Sequence, residues 1–105
     1  MDIEYIIGKN ALHNTQLCQE MAPYDVWFHI SNLPSAHLIM KNPDKVSLDK
    51  LRKHGIIYKM ANRLKVSSKY RKTPLLKVDY CYGKDIKTTP VPGRVTTLHC
   101  AVITV

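Results

Sequence analysis

The sequence predicts an α+β fold, a single domain of about five mostly antiparallel strands with two helices. Short apolar runs rich in β-branched and aromatic residues, each closed by Gly, Pro, Asn or Ser, read as strands. Two stretches with helical spacing of apolar residues are each opened by a capping residue, Asn10 and Ser47. No internal repeat, low-complexity tract or linker interrupts the 105 residues, so residues 1–105 read as one domain, and a chain of that length buries roughly two-thirds of its unfolded surface around one core.

Ile3 to Ile7 is the first strand, closed by Gly8. Asn10 then caps a helix whose stripe is Ala11, Thr15, Cys18 and Met21, and Pro23 forbids its continuation. Val26 to Ile30 and Leu38 to Met40 are two strands joined through the turn residues Ser31, Asn32 and Pro34. After the break at Asn42, Pro43 and Asp44, Ser47 opens a longer helix through about Leu64. Leu48, Leu51, Gly55 and Tyr58 mark one side of it, and Ile57, Met60, Ala61 and Leu64 the adjoining side. Asp49 near its start and Arg63 and Lys65 near its end suit the helix dipole, while Gly55 weakens it by roughly 1 kcal/mol relative to Ala. Val66 to Thr73 lacks a core-facing period and reads as an exposed basic loop closed by Pro74. Leu75 to Tyr82 is strand-like, Gly83 to Gly93 a connection containing Pro90 and Pro92, and Val95 to Val105 a final strand tied into the sheet.

Sixteen Lys and Arg against eight Asp and Glu give a net charge of +8, which favours polyanionic partners. Twelve of those sixteen cations lie between Lys41 and Lys77, where Asp44 and Asp49 are the only acids. The positive character therefore belongs to one face or one arm. Within it, Arg63, Lys65, Lys69, Tyr70, Arg71, Lys72 and Lys77 interleave base with an aromatic and small hydroxyl residues, the composition of a surface that tracks a nucleic-acid backbone, and equally that of a solvated loop. Three cysteines in no metal-like spacing argue against a disulfide framework or a zinc ribbon. The start Met1-Asp2-Ile3-Glu4 carries acid where a signal peptide carries base, and no apolar run reaches the roughly 18 residues of a membrane span. The expectation is a soluble, cytoplasmic protein.

Asp25, Trp27 and His29 alternate along a strand and so share one face, with Val26, Phe28 and Ile30 on the other. If the two strands around Pro34 pair as a hairpin, His37 approaches His29. Such a patch can stack a base and hydrogen-bond to its edges, or it is a buried Trp with satisfied His and Asp holding a turn. Trp27, flanked by Val26 and Phe28, reads as core, and His37, after a Pro-Ser-Ala turn, as the exposed member. Gly8, Lys9 and Asn10 stand where a strand turns into a helix, fit to receive an anion or simply to turn and cap. Catalytic sets are poor: neither GxSxG nor HExxH occurs. The enzyme alternative is a small metal-assisted phosphoesterase or nuclease using His29, His37 and Asp25. A DNA-binding or protein-docking module is the other alternative. The expectation is no catalytic activity, no cofactor and no metal.

Gly8-Lys9-Asn10 with Asn14, then Asp25-Val26-Trp27-Phe28-His29, then Pro34-Ser35-Ala36-His37 resembles the NFACT-R domain, the RNA-binding module of ribosome quality-control proteins of the NEMF and RqcH type and of short coiled-coil relatives. Lys77-Val78-Asp79-Tyr80 and the stretch from Pro92-Gly93-Arg94-Val95 to Ile103-Thr104-Val105 resemble its terminal strands, so the likeness covers essentially the whole chain. The Ser35-Ala36-His37 version is more similar to the short coiled-coil members. The resemblance implies an RNA partner, tRNA or rRNA, linked to translation and to the large ribosomal subunit. The N-terminal and coiled-coil domains of the long relatives are absent here, which implies a partner chain that supplies them. Under this reading the RNA-binding residues are Lys9, Asn10, Trp27, His29, His37 and the basic run from Arg63 to Lys77.

Overall fold

In chain order the elements are β1 (Tyr5–Ile7), α1 (Ala11–Glu20), β2 (Val26–Ile30), β3 (Leu38–Met40), α2 (Leu48–Lys53), α3 (Ile56–Ser67), β4 (Lys77–Tyr82), β5 (Ile86–Thr88), β6 (Val95–Thr97) and β7 (Ala101–Thr104). The structure is a computed structural model and describes residues 3–105; Met1 and Asp2, half of the acidic start, lie outside the described residues. A five-stranded antiparallel sheet runs in the order β1-β3-β2-β4-β7, and β5 and β6 form a separate hairpin. The fold is α+β, as the sequence predicts.

Strand alternation sorts the core into two layers. Val26, Phe28 and Ile30 of β2 point to one face, where they join Ile57, Met60 and Leu64 of α3, Leu51 of α2 and Val78 and Tyr80 of β4. Phe28, Ile30, Ile57 and Leu64 are wholly buried, each contributing about 1.5–3 kcal/mol from apolar area removed from water. Trp27 points to the opposite face and packs with Leu17 of α1, Ile39 and Cys81, against which Ile86 and Val95 of the small hairpin lean.

Helix starts behave as their side chains dictate. Asn10 Oδ1 accepts the His13 N–H at 2.9 Å, and Ser47 Oγ accepts the Lys50 N–H at 3.2 Å. The single long helix expected from Ser47 is instead two. Gly55 stands between α2 and α3 in the left-handed region, φ 77°, a conformation that glycine adopts without steric cost. Consequently α3 starts afresh and runs on to Ser67, which removes Val66 and Ser67 from the expected basic loop. The buried residues of α1 are Asn14 and Leu17, while Cys18 and Met21 are half-buried and Ala11 is exposed, a stripe rotated from the one expected. The rotation has a polar cause: Asn14 Oδ1 accepts the His37 N–H at 3.2 Å, so an amide takes a position that an apolar count passes over.

The expected Gly83–Gly93 connection contains β5, and the expected final strand is broken into β6 and β7, with His99 between them at φ 55°. A left-handed residue cannot continue a ladder. Seven strands and three α-helices among the described residues therefore replace five and two, although the main sheet itself has five. No helix among the described residues is long and apolar enough to cross a membrane.

Candidate functional site

The register of β2 against β3 pairs Phe28 with Leu38, which brings His29 across from His37 at the next position. Three rings meet there. His29 lies parallel to Trp27 with centroids 5.7 Å apart. His37 stands perpendicular to both, 5.5 Å from Trp27 and 5.0 Å from His29. Trp27 Nε1–H donates to His37 Nδ1 at 3.1 Å, so the neutral His37 ring carries its proton on Nε2, beside the Gly93 backbone carbonyl.

Burial, and then the neighbouring His29, push the His37 pKa down to about 4 against the opposing pull of Gly93. Burial also lowers that of His29, opposed by the Ile30 backbone and the Asp79 carboxylate. Both imidazoles are therefore uncharged at neutral pH and offer flat rings and N–H or N: groups rather than charge. Cys18 Sγ lies 3.4 Å from His37 Nδ1, and burial raises its pKa to about 11 in spite of the Trp27 contact, which leaves it a protonated thiol.

This cluster forms the floor of a groove of about 980 Å³. One wall is the β2–β3 turn with Asn32, Leu33 and Pro34, the other the tip of the β5–β6 hairpin with Val91, Gly93 and Arg94, and the start of α1 closes one end. Two glycines hold these walls. A Cβ on Gly8 would fall 1.7 Å from Asn14 Oδ1, so only glycine lets β1 turn into α1 at that distance. Gly93, at φ 79°, donates its N–H to Thr15 Oγ1 at 2.7 Å and so latches the hairpin tip onto α1.

The structure thus brings together Trp27, His29, His37, Lys9 and Asn10, and with them Asn14, Cys18, Asp79 and Arg94. Lys9 is exposed on the rim, but the Asn10 side chain is occupied as the helix cap. His37 is only 2% exposed, the reverse of its expected exposure, because the Pro-Ser-Ala turn folds its ring inward onto Trp27; His29 is the half-exposed member.

Asp25 does not join them. Its carboxylate accepts the Ala22 N–H at 2.9 Å and the Asn42 N–H at 3.0 Å, and pairs with Lys41 at 3.4 Å. It precedes β2 and so stands about 13 Å along the strand from His29. The His29, His37 and Asp25 set is therefore not assembled, and no group of three or more His, Cys, Asp or Glu suited to a metal occurs among the described residues.

The basic run is likewise separate from the groove. Arg63 donates to the Tyr5 hydroxyl at 3.3 Å and lines another cleft, between β1 and α3. Lys65 Nζ donates to the Val105 carbonyl at 3.1 Å. Tyr70 is half-buried and packs on the α3-side core rather than standing free in the loop; Lys69 Nζ lies over its ring at 5.5 Å. Arg71, Lys72 and Lys77 are exposed. The two surfaces meet at one end of the sheet, where the Ser31 N–H of the groove turn donates to the Lys77 carbonyl at 2.9 Å. Asn14, Asp79 and Arg94 lie in the stretches that carry the resemblance and Cys18 lies outside them, but no spacing in the sequence ties any of the four to His37, because they reach it only through the fold.

Comparison with known proteins adds two likenesses. The fold is similar to the C-terminal part of the fibronectin/fibrinogen-binding protein of Streptococcus suis, with TM-score 0.80 and 25% identity over 99% of this chain and 41% of that one. Over 51 residues, 49% of this chain, the sequence is 33% identical to the coiled-coil domain-containing protein 25 of Danio rerio, of which the match spans 25%. The chain thus corresponds to less than half of either protein. No family model matches it.

Proposed function

We propose that this chain is a non-catalytic RNA-binding module of the NFACT-R type, with tRNA or rRNA as its partner. The observation that carries the reading is the uncharged Trp27–His29–His37 floor set between cationic rims. Aromatic rings accept an unstacked base, and the half-exposed His29 ring, backed by Trp27, is the plate on which one stacks. Asp79 on the floor repels phosphate but accepts from a base amino group. Lys9 and Arg94 on the rim, and Arg71, Lys72 and Lys77 around the sheet end, suit the backbone. Under this reading the module acts in the cytoplasm, with its three cysteines as free thiols, and at the large ribosomal subunit. Neither similar protein's name speaks of RNA, so the reading rests on the groove and the sequence motif.

The test is fluorescence anisotropy with labelled tRNA and a DNA hairpin of the same sequence, across a salt series. Binding to tRNA should weaken with salt at a slope of roughly −0.7 to −0.9 per phosphate neutralised. His29→Ala should lower affinity about tenfold or more, with the loss persisting at high salt, since base–aromatic stacking is worth about 1–3 kcal/mol and releases no counterions. Equal binding of the DNA hairpin would move the module to the DNA alternative. Absence of binding to either would end the nucleic-acid reading.

A further inference from the structure

Cys81 and Cys100 play no part in the groove's chemistry, yet the ladder sets them face to face. Tyr80 of β4 pairs with Ala101 of β7 in antiparallel register, so the next position places Cys81 across from Cys100. Their sulfurs are 3.0 Å apart. A disulfide needs about 2.05 Å, so closure asks the two sulfurs to approach by about 1 Å.

We propose that Cys81 and Cys100 form a dithiol modification site that closes to an intramolecular disulfide under hydrogen peroxide and reopens with thiol reductants. The two cysteines have unequal roles. Cys100 is half-buried just before β7, whereas Cys81 is wholly buried beneath Trp27, to which it is registered on β2. Only Cys100 meets peroxide. The hydrogen bond with Cys81 lowers the Cys100 pKa, aided by Thr97 and opposed by burial and by the Asp79 and Asp85 carboxylates, which favours the reactive thiolate. The Cys100 thiolate attacks one peroxide oxygen and breaks the O–O bond; the departing hydroxide takes the proton that the thiol released and leaves as water, giving a sulfenic acid. Cys81 sulfur then attacks the Cys100 sulfur, and its proton leaves with the sulfenic hydroxyl as a second water. Two thiols are oxidised and one peroxide is reduced to two waters. Cys18, half-buried beside His37 and held as a thiol, lacks the ionisation to compete.

The experiment treats the full chain with an equimolar amount of hydrogen peroxide and reads intact mass, free thiols and an unreduced peptide map. The expected result is a loss of about 2 Da, a fall from three titratable thiols to one, a peptide linking Cys81 to Cys100, and full reversal by dithiothreitol. Cys18→Ser should behave in the same way. Cys81→Ser should stop at a Cys100 sulfenic acid that dimedone traps. If Cys81→Ser fails to fold, the wild-type peptide map decides alone. A gain of one or more oxygens with no link, a link through Cys18, or no reaction would each overturn the proposal.

Discussion

On one face of the main sheet Val26, Phe28 and Ile30 meet Ile57, Met60 and Leu64, a wholly apolar contact closed by α2 and α3. On the other, Trp27 and His29 meet His37, Asn14 and an open groove of about 980 Å³. Adjacent residues of one strand thus serve opposite ends. The first face stabilises the domain; the second uses a smaller apolar cluster and the buried His37 to hold the half-exposed His29 ring at an accessible surface. Sites in folded domains are commonly built this way, with functional groups positioned by a rigid scaffold rather than included in it.

The largest expected effect on this contrast comes from the closed face. Phe28→Ala should lower unfolding free energy by about 3–5 kcal/mol, measured by urea denaturation. Trp27→Ala should cost a comparable amount and abolish tRNA binding as well, because it removes both the second core cluster and the backing of His29. If Trp27→Ala cost less than about 1 kcal/mol, the second face would not be a packed support.

Acid should distinguish the faces next. The folded His37 pKa of about 4 lies below its ordinary 6.5, so between those values the unfolded chain binds more protons and stability rises with pH. The contribution is complete above about pH 6.5 and is lost as pH falls towards 4, amounting to about 2 kcal/mol by pH 5; the lowered His29 acts in the same direction. Comparing wild type with His37→Gln at pH 7 and pH 5 should show a smaller acid loss in the variant. An unchanged loss would remove His37 as its source.

His29→Ala should change stability by less than about 1 kcal/mol, being a half-exposed truncation, while tRNA affinity falls. The opposite pattern would make His29 a packing residue. The smallest stability effects belong to the exposed loop, where Lys69→Glu, Arg71→Glu and Lys72→Glu should each stay within about 0.5 kcal/mol and together flatten the salt dependence of tRNA binding. Lys65 is left intact in this set because its ammonium holds the Val105 carbonyl. A salt slope unchanged by the triple reversal would confine phosphate contacts to the groove rim.

The sequence by itself determined the α+β class, the β2–β3 hairpin that brings His29 to His37, and the side of β2 on which each residue falls, because these follow from local rules: a period of two, turn residues and caps. It also located the starts of α1 and α2, since Asn10 and Ser47 bond to N–H groups three residues away, though not that of α3. Only the tertiary structure decided what the polar residues were for. Asp25 could not be distinguished from a site carboxylate until the chain returned Asn42 and Lys41 to it. The burial of His37 depended on Trp27 and Asn14 arriving from other segments. The separation of the basic run from the groove depended on α3 packing on the far face of the sheet. Each is a long-range contact, and the free energy of a buried polar group is set by partners distant in sequence, which periodicity and composition do not encode.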